Sequence, residues 1–348
     1  MTGPSPTGSD QRGGPAEAAP GPAQGAAARS GAPEAPGTAR EMLSMSKAFL
    51  ERKGLENPRL EADLLVAHAL GIERLDLYMR LDQPLLAAEV DRARELLVRR
   101  GRREPTAYIV GHREFYGRDF QVGPGVLVPR PETELLVDRA RELLAKHEEA
   151  RVLDVGTGSG CIGVTLALEL GDIADVHAVD ISADALDYAE RNRDRLGAAV
   201  TFHEGDGLET LERLAAERPF DLVISNPPYV EPGEADGLDE EVKGHEPALA
   251  LYAPEGDPDR WVRALCKLAP SVLQERGALL VELGHLQAAR AGHFAGPKAV
   301  VVDDLAGVPR MLELQPGARG PGPPKMFAII LGGYNNHIPR LFEDHTML

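Results

Sequence analysis

From Arg151 onward, short apolar runs alternate with segments patterned as helices. The runs are 151-RVLDV-155, 175-DVHAVDI-181, 199-AVTFHEG-205, 220-FDLVIS-225 and 277-GALLVEL-283. Helical patterns fall near 161–170, 183–196, 208–216 and 259–273. Strands this apolar cannot expose either face, and the connections between them are long enough to cross over as helices. That combination predicts an α/β fold, a doubly wound parallel sheet covered on both sides. The carboxyl ends of such strands converge on one crevice, so residues at strand ends are the first place to look for chemistry. Residues 299-AVVVDDLAGVPRML-312 are read as further strands, and 326-MFAIILGG-333 as a candidate last strand with no assigned place.

Upstream the character changes three times. Residues 1–40 are almost entirely Gly, Ala, Pro, Ser and Thr, too poor in apolar side chains to offset the entropy of ordering, and are predicted disordered. Residues 41–104 read as a small helical bundle. In 60-LEADLLVAHAL-70 the spacing puts Leu60, Leu64, Ala67 and Leu70 on one side, with Gly71 ending the helix. Residues 105–131 form a linker. Its stretch 114-EFYGRDFQV-122 reads as a hairpin about a glycine-containing turn, and 127-LVPRPETE-134 is stiffened by Pro129 and Pro131 around Arg130. A helix follows with Leu136, Ala140, Leu143 and Leu144 on one face. The sheet region is assigned to 132–314, and 315–348 is left as a tail of undetermined structure that includes the linker-like 316-PGARGPGPPK-325.

Composition narrows the function. With 55 acidic against 38 basic side chains the net charge is −17, which argues against direct binding of nucleic acid through its phosphates. The arginines at 92, 94, 99, 100, 102 and 103 are read first as a solvated helix C-terminus, with a docking patch as the rival. Two cysteines without C-x-x-C pairing and scattered histidines suggest neither a disulfide framework nor a metal site. No apolar run approaches the ~20 residues that span a bilayer. A cytoplasmic location is expected.

The first chemical signature is 153-LDVGTGSGCIG-163. Glycines between a buried strand and a helix let backbone approach a ligand at the helix N-terminus. Read literally, Gly158, Gly160 and Gly163 satisfy G-x-G-x-x-G with Asp180 as the ribose acid, which keeps a nicotinamide dehydrogenase in contention. Counting from the strand end instead gives 156-GTGSG-160, followed by Asp180 and then Asp206 in 204-EGDGL-208, at the ends of successive strands. Each acid alone is more often a helix cap. In this register the loop resembles the nucleoside-binding loop of class I S-adenosylmethionine methyltransferases. The resemblance implies that Asp180 holds the ribose hydroxyls and that Asp206 lies beside the adenine.

The fourth strand ends in 225-SNPPYV-230. Prolines cannot continue a ladder, so Asn226 is expected to turn into the crevice. Methyl transfer to a planar NH₂ group needs its hydrogens held so that the nitrogen lone pair faces the methyl. The Asn226 oxygen and the Pro227 carbonyl, its direction fixed by two prolines, supply two acceptors, and Tyr229 a flat clamping face. Their dipoles would stabilise the positive charge that develops on nitrogen.

Asn-Pro-Pro-Tyr is shared by enzymes acting on adenine N6, cytosine N4 and glutamine amides. The linker 105-PTAYIVGHREFYGRDFQVGPGVLVPRPETELLV-137 resembles that of the release-factor glutamine methyltransferases, as do 59-RLEADLLVAHALGIERLDLY-78, 245-HEPALAL-251 and 303-DDLAGVPRML-312. The resemblance implies S-adenosylmethionine as methyl donor. It implies as substrate the glutamine of the Gly-Gly-Gln loop in class I peptide chain release factors. It also implies cofactor contacts at Gly156, Thr157, Gly158, Ser159, Gly160, Asp180, Asp206, Gly207 and Asn226. Acceptor contacts would come from Asn226, Pro227, Pro228, Tyr229, Arg130 and Glu132, with Asn226, Pro227 and Tyr229 as the catalytic set, and Pro129, Arg130, Glu132 and Thr133 match a segment that helps close the active site. The alternatives are a glutamine methyltransferase of a large-subunit ribosomal protein, which resembles the helical region less, and a DNA adenine-N6 methyltransferase, for which no base-recognition segment is evident.

Overall fold

The computed structural model describes Met1 and residues 37–284, 286–296 and 298–317. The readings of residues 2–36 and of the 326–333 run fall outside these residues. Among the described residues five helices precede the hairpin: α1 (Ala39–Arg52), α2 (Pro58–Leu70), α3 (Arg74–Met79), α4 (Ala87–Gly101) and α5 (Thr106–Val110). The first starts where Thr38 and Glu41 form a reciprocal capping box, satisfying amides that the first turn leaves unpaired.

Helix α2 buries more than the side expected of it, on which Ala67 is buried and Leu64 and Leu70 are half-buried. Ala62, Asp63, Leu65, Val66, Ala67 and Ala69 are buried, whereas Leu60 is exposed. Helix α2 touches α1, α3, α4 and α5, so it is enclosed on most sides. A helix surrounded in this way carries no single apolar stripe from which its inner face can be read.

The arginine-rich end of α4 also differs from expectation. The stripe that buries Val90, Ala93 and Leu97 continues to Arg100, which is 2% exposed. Its guanidinium pairs with Glu61 of α2 at 2.8 Å and with Glu241 at 2.5 Å. Arg99 pairs with Glu104, and Arg103 with Glu240. This end of the helix is a strut between elements rather than a simply solvated terminus.

Strands β1 (His112–Phe115) and β2 (Arg118–Gln121) form the expected hairpin. Tyr116 and Gly117 both have positive φ, 53° and 70°, the geometry that suits a two-residue turn to the twist of its strands. After α6 (Glu134–Leu144) the sheet domain proceeds through β3 (Ala150–Val155), α7 (Cys161–Leu170), β4 (Ala174–Asp180), α8 (Ala183–Leu196), β5 (Val200–Glu204), α9 (Gly207–Glu217) and β6 (Phe220–Ser225). Short helices α10 (Glu240–His245) and α11 (Ala248–Leu251) come next. The order then runs α12 (Arg260–Val272), β7 (Leu273–Glu282), α13 (Ala288–Ala295), β8 (Ala299–Asp303) and β9 (Pro309–Leu314).

The strands lie in the order β5-β4-β3-β6-β7-β9-β8. Those from β5 to β7 are parallel, as expected, but β9 inserts antiparallel between β7 and β8. The chain winds outward from β3 in one direction and returns to its other side with β6, so the crevice opens between these two strands. Alternation along the strands feeds two cores. Ala150 and Val152 of β3, with Ala278 and Leu280 of β7, join the side covered by α6 and α7. Leu153, Val155, Leu279 and Val281 join the side covered by α9, α12 and α13. The hairpin adds the buried pair Phe115 and Phe120 to the first core, which fixes the linker against the sheet.

Candidate functional site

Two cavities meet at the switch point. One, of about 410 Å³, is lined by the glycine loop, Asp180, Asp206, Gly207, Leu208 and Trp261. The other, of about 500 Å³, lies toward the helical domain and is lined by Thr106, Arg113, Pro227, Tyr229, Glu241 and Val242 among others. Asn226 borders both, together with Leu127, Pro129 and Arg130 of the linker.

In the loop beside the first cavity, Gly156, Gly158 and Gly160 have φ of 75°, 56° and 81°, a region in which L-residues are strained by roughly 1–2 kcal/mol. A side chain at Gly156 would enter open space, so the loop forms a cradle walled by bare backbone. Gly160 has a different task. It caps α7, does not line the cavity, and leaves room for Ala189 and Val164, which a Cβ would meet at 3.2 Å. Gly163 lies within α7 and donates its N–H to Asp154 at 3.0 Å. Thr157 lines the cavity but gives its hydroxyl to Asp154 at 2.6 Å. Asp154 is wholly buried, which pushes its carboxyl up to about 7.

Asp180 closes β4 and accepts N–H bonds from Gly158 at 2.8 Å and Ser182 at 2.9 Å. Burial holds its carboxyl above the ordinary range against these bonds. Asp206 is a helix cap that also borders the cavity. Its Oδ1 caps α9 through the amides of Leu208 and Glu209, and its side chain stands at the cavity wall. The buried indole N–H of Trp261 has no partner among the described residues. An adenosine group suits this chemistry: a diol for Asp180, an amine for Asp206, and an aromatic face against Leu208 and Trp261.

Asn226 reaches the junction because Ser225 ties the end of β6 to β3, its hydroxyl donating to the Val155 carbonyl at 2.7 Å. The Asn226 amide nitrogen donates to the Thr133 hydroxyl at 3.2 Å, and that hydroxyl donates to Glu282 at 2.6 Å. Glu282 follows the parity of Ala278 and Leu280, so it points toward α6 and sits beneath Thr133, 3% exposed. In the sequence Thr133 belonged only to a segment expected to help close the site, and Glu282 was not singled out. Pro227 and Tyr229 face the outer cavity and Pro228 the inner one. No hydrogen bond among the described residues engages the Pro227 carbonyl. A Cβ at Gly284 would come within 2.6 Å of the Tyr229 ring, so this glycine seats the ring. Burial pushes the Tyr229 hydroxyl up to about 12, keeping it neutral.

Arg130 pairs at 2.7 Å with the buried Glu246, which also accepts the Val128 N–H at 3.1 Å, clamping the linker to the segment between α10 and α11. Glu132 is exposed on the turn before α6 and lines neither cavity; its neighbour Thr133 faces inward instead. Among the described residues no cluster of His, Cys, Asp or Glu is arranged to hold a metal ion, and no helix is long and apolar enough to cross a membrane.

Residues 41–111 match the family model described as the PrmC N-terminal domain, and residues 146–296 match one described as a methyltransferase domain. Proteins named release factor glutamine methyltransferase align along most of their length. That of Chlorobaculum tepidum is 43% identical over 263 residues, 74% of this chain and 88% of the relative. That of Geobacter sulfurreducens is 43% identical over 251 residues, covering 72% and 86%. That of Koribacter versatilis is 41% identical over 280 residues, covering 79% and 97%.

Proposed function

The chain belongs to the release factor glutamine methyltransferases, and on that premise we propose that it moves a methyl group from S-adenosylmethionine to the side-chain amide nitrogen, N5, of the glutamine in the Gly-Gly-Gln loop of class I peptide chain release factors. The observation that carries this reading is the position of Asn226, on the wall between a glycine-lined cavity and a second cavity that faces the helical domain. When bound in the first cavity, S-adenosylmethionine supplies an electrophilic methyl group. Gly156, Gly158 and Ser159 border its methionine part, Asp180 its ribose, and Asp206 and Gly207 its adenine.

The glutamine enters from the outer cavity. The Asn226 oxygen accepts one amide hydrogen and the Pro227 carbonyl the other, which turns the nitrogen lone pair toward the inner cavity. The Tyr229 ring, seated on Gly284, covers the flat amide. No strong base is required: as the new carbon–nitrogen bond forms, the methyl–sulfur bond would break to leave neutral S-adenosylhomocysteine, and the nitrogen made cationic by methylation is acidic enough to give its extra proton to water. Positioning then supplies much of the rate, up to roughly 7–11 kcal/mol for a well-oriented pair. An outer cavity of about 500 Å³ beside a helical unit suits entry of a protruding loop only, with the body of the substrate outside.

The deciding measurement is mass spectrometry of purified release factor after incubation with the enzyme and S-adenosylmethionine. One added methyl on the Gly-Gly-Gln glutamine is the expected result. Methylation confined to ribosomal protein or to DNA rejects the assignment.

A further inference from the structure

We propose that Thr133 and Glu282 are positioning residues that decide which end of the Asn226 carboxamide faces the acceptor amide. The inference rests on the acceptor role given above to Asn226 and extends it. A carboxamide is nearly symmetric in shape, with a donor at one end and an acceptor at the other. Rotated by half a turn, Asn226 would present NH₂ to the substrate NH₂, and no hydrogen bond could form. Something must forbid that rotation.

The hydroxyl of Thr133 has a single hydrogen. At 2.6 Å from Glu282 Oε2 that hydrogen is committed to the carboxylate, so toward Asn226 the hydroxyl can only accept. The Asn226 nitrogen, 3.2 Å away, must therefore be the end that meets it, and the carbonyl oxygen is left for the cavity junction. In the rotated form two acceptors would compete for one hydrogen and one buried oxygen would go unsatisfied. That disfavours it by roughly 5- to 150-fold.

The fold supplies this geometry through two separate elements. Ser225 pairs with Val281 in the sheet, so Asn226 and Glu282 leave neighbouring strands side by side. Thr133 ends the tight turn over Pro131–Thr133 and drops its hydroxyl between them, 2% exposed. Thr133 borders the inner cavity but neither it nor Glu282 lines the outer one, so their effect on the acceptor passes through Asn226, and the cofactor-binding measurement below separates any effect of Thr133 on the inner cavity.

The test compares Thr133→Val, Thr133→Ser, Glu282→Gln and the double variant Thr133→Val/Glu282→Gln with wild type, using intact release factor and S-adenosylmethionine. Calorimetry of S-adenosylhomocysteine binding and a thermal melt are run on each. Thr133→Val removes the bias without reversing it, so kcat should fall by at least about twofold, the share of enzyme left in the unproductive rotation, with KM for release factor and cofactor affinity unchanged. Thr133→Ser should restore most of the loss, since it keeps the hydroxyl. The double variant should be no slower than Thr133→Val, because Glu282 acts through that hydroxyl. A Thr133→Val enzyme with wild-type kcat, a Thr133→Ser enzyme as slow as Thr133→Val, or losses that multiply in the double variant would each overturn the inference while leaving the activity intact. A wild-type enzyme that leaves the release-factor glutamine unmodified would remove the underlying activity, and this inference with it.

Discussion

Truncating Asn226 to Ala removes one carbonyl oxygen from the junction of the cavities and leaves the glycine loop and Asp180 untouched. The expected result is a kcat reduced by about 10²–10³, the usual cost of deleting one preorganised polar group, with cofactor affinity nearly unchanged. Parallel turnover assays and calorimetry would check both halves. A pH dependence follows from Glu282. Burial pushes its carboxyl up to about 7, helped by Glu132 and opposed by the Thr133 hydrogen bond, Arg310 and Arg130. Above that pH it is ionised and accepts from Thr133. Below it the acid can itself donate, which frees the Thr133 hydrogen to turn toward Asn226 and favour the unproductive rotation. Turnover should therefore rise with pH through about 7, and Glu282→Gln should flatten that limb of the kcat profile. Of these residues the sequence made Asn226 legible, because an amide before two prolines at a strand end is unusual. Glu282 was not legible. One acid closing an apolar strand carries no sign of what lies across from it, and Thr133 is 149 residues away in the chain.

At the scale of elements, the strand–helix alternation was readable because buried parallel strands leave little doubt about period or polarity. What escaped were features decided by neighbours. The inner face of α2 depends on four helices packing around it, and the reversed direction of β9 depends on where its connection lands. The Tyr229 platform belongs to the same class, since it depends on a glycine after a different strand. Substituting Gly284 by Ala would drive a methyl group into the ring, which must shift. A kcat loss of about tenfold or more, with folding intact by circular dichroism and cofactor binding retained, is the expected signature of a displaced clamp rather than a lost fold.

At the scale of the molecule, the helical unit and the sheet domain are joined by charge as well as by chain. Arg100 reaches from α4 to Glu61 and to Glu241, and Glu61 and Glu241 both line the outer cavity. Replacing Arg100 with Met would strand two carboxylates around an apolar chain. It should cost about 3 kcal/mol of unfolding free energy, measurable by urea titration, because breaking a buried pair costs more than the pair contributes. This bridge was hidden in the sequence among six arginines, and only packing distinguishes the one that is buried. Leu127, Pro129 and Arg130 are shared by both cavities, a party wall held upright by the Arg130–Glu246 clamp. Whatever braces that wall from one room braces it for the other. Release factor should bind more tightly with S-adenosylhomocysteine present than without it, and thermodynamic reciprocity requires the nucleoside to gain by the same factor from the protein.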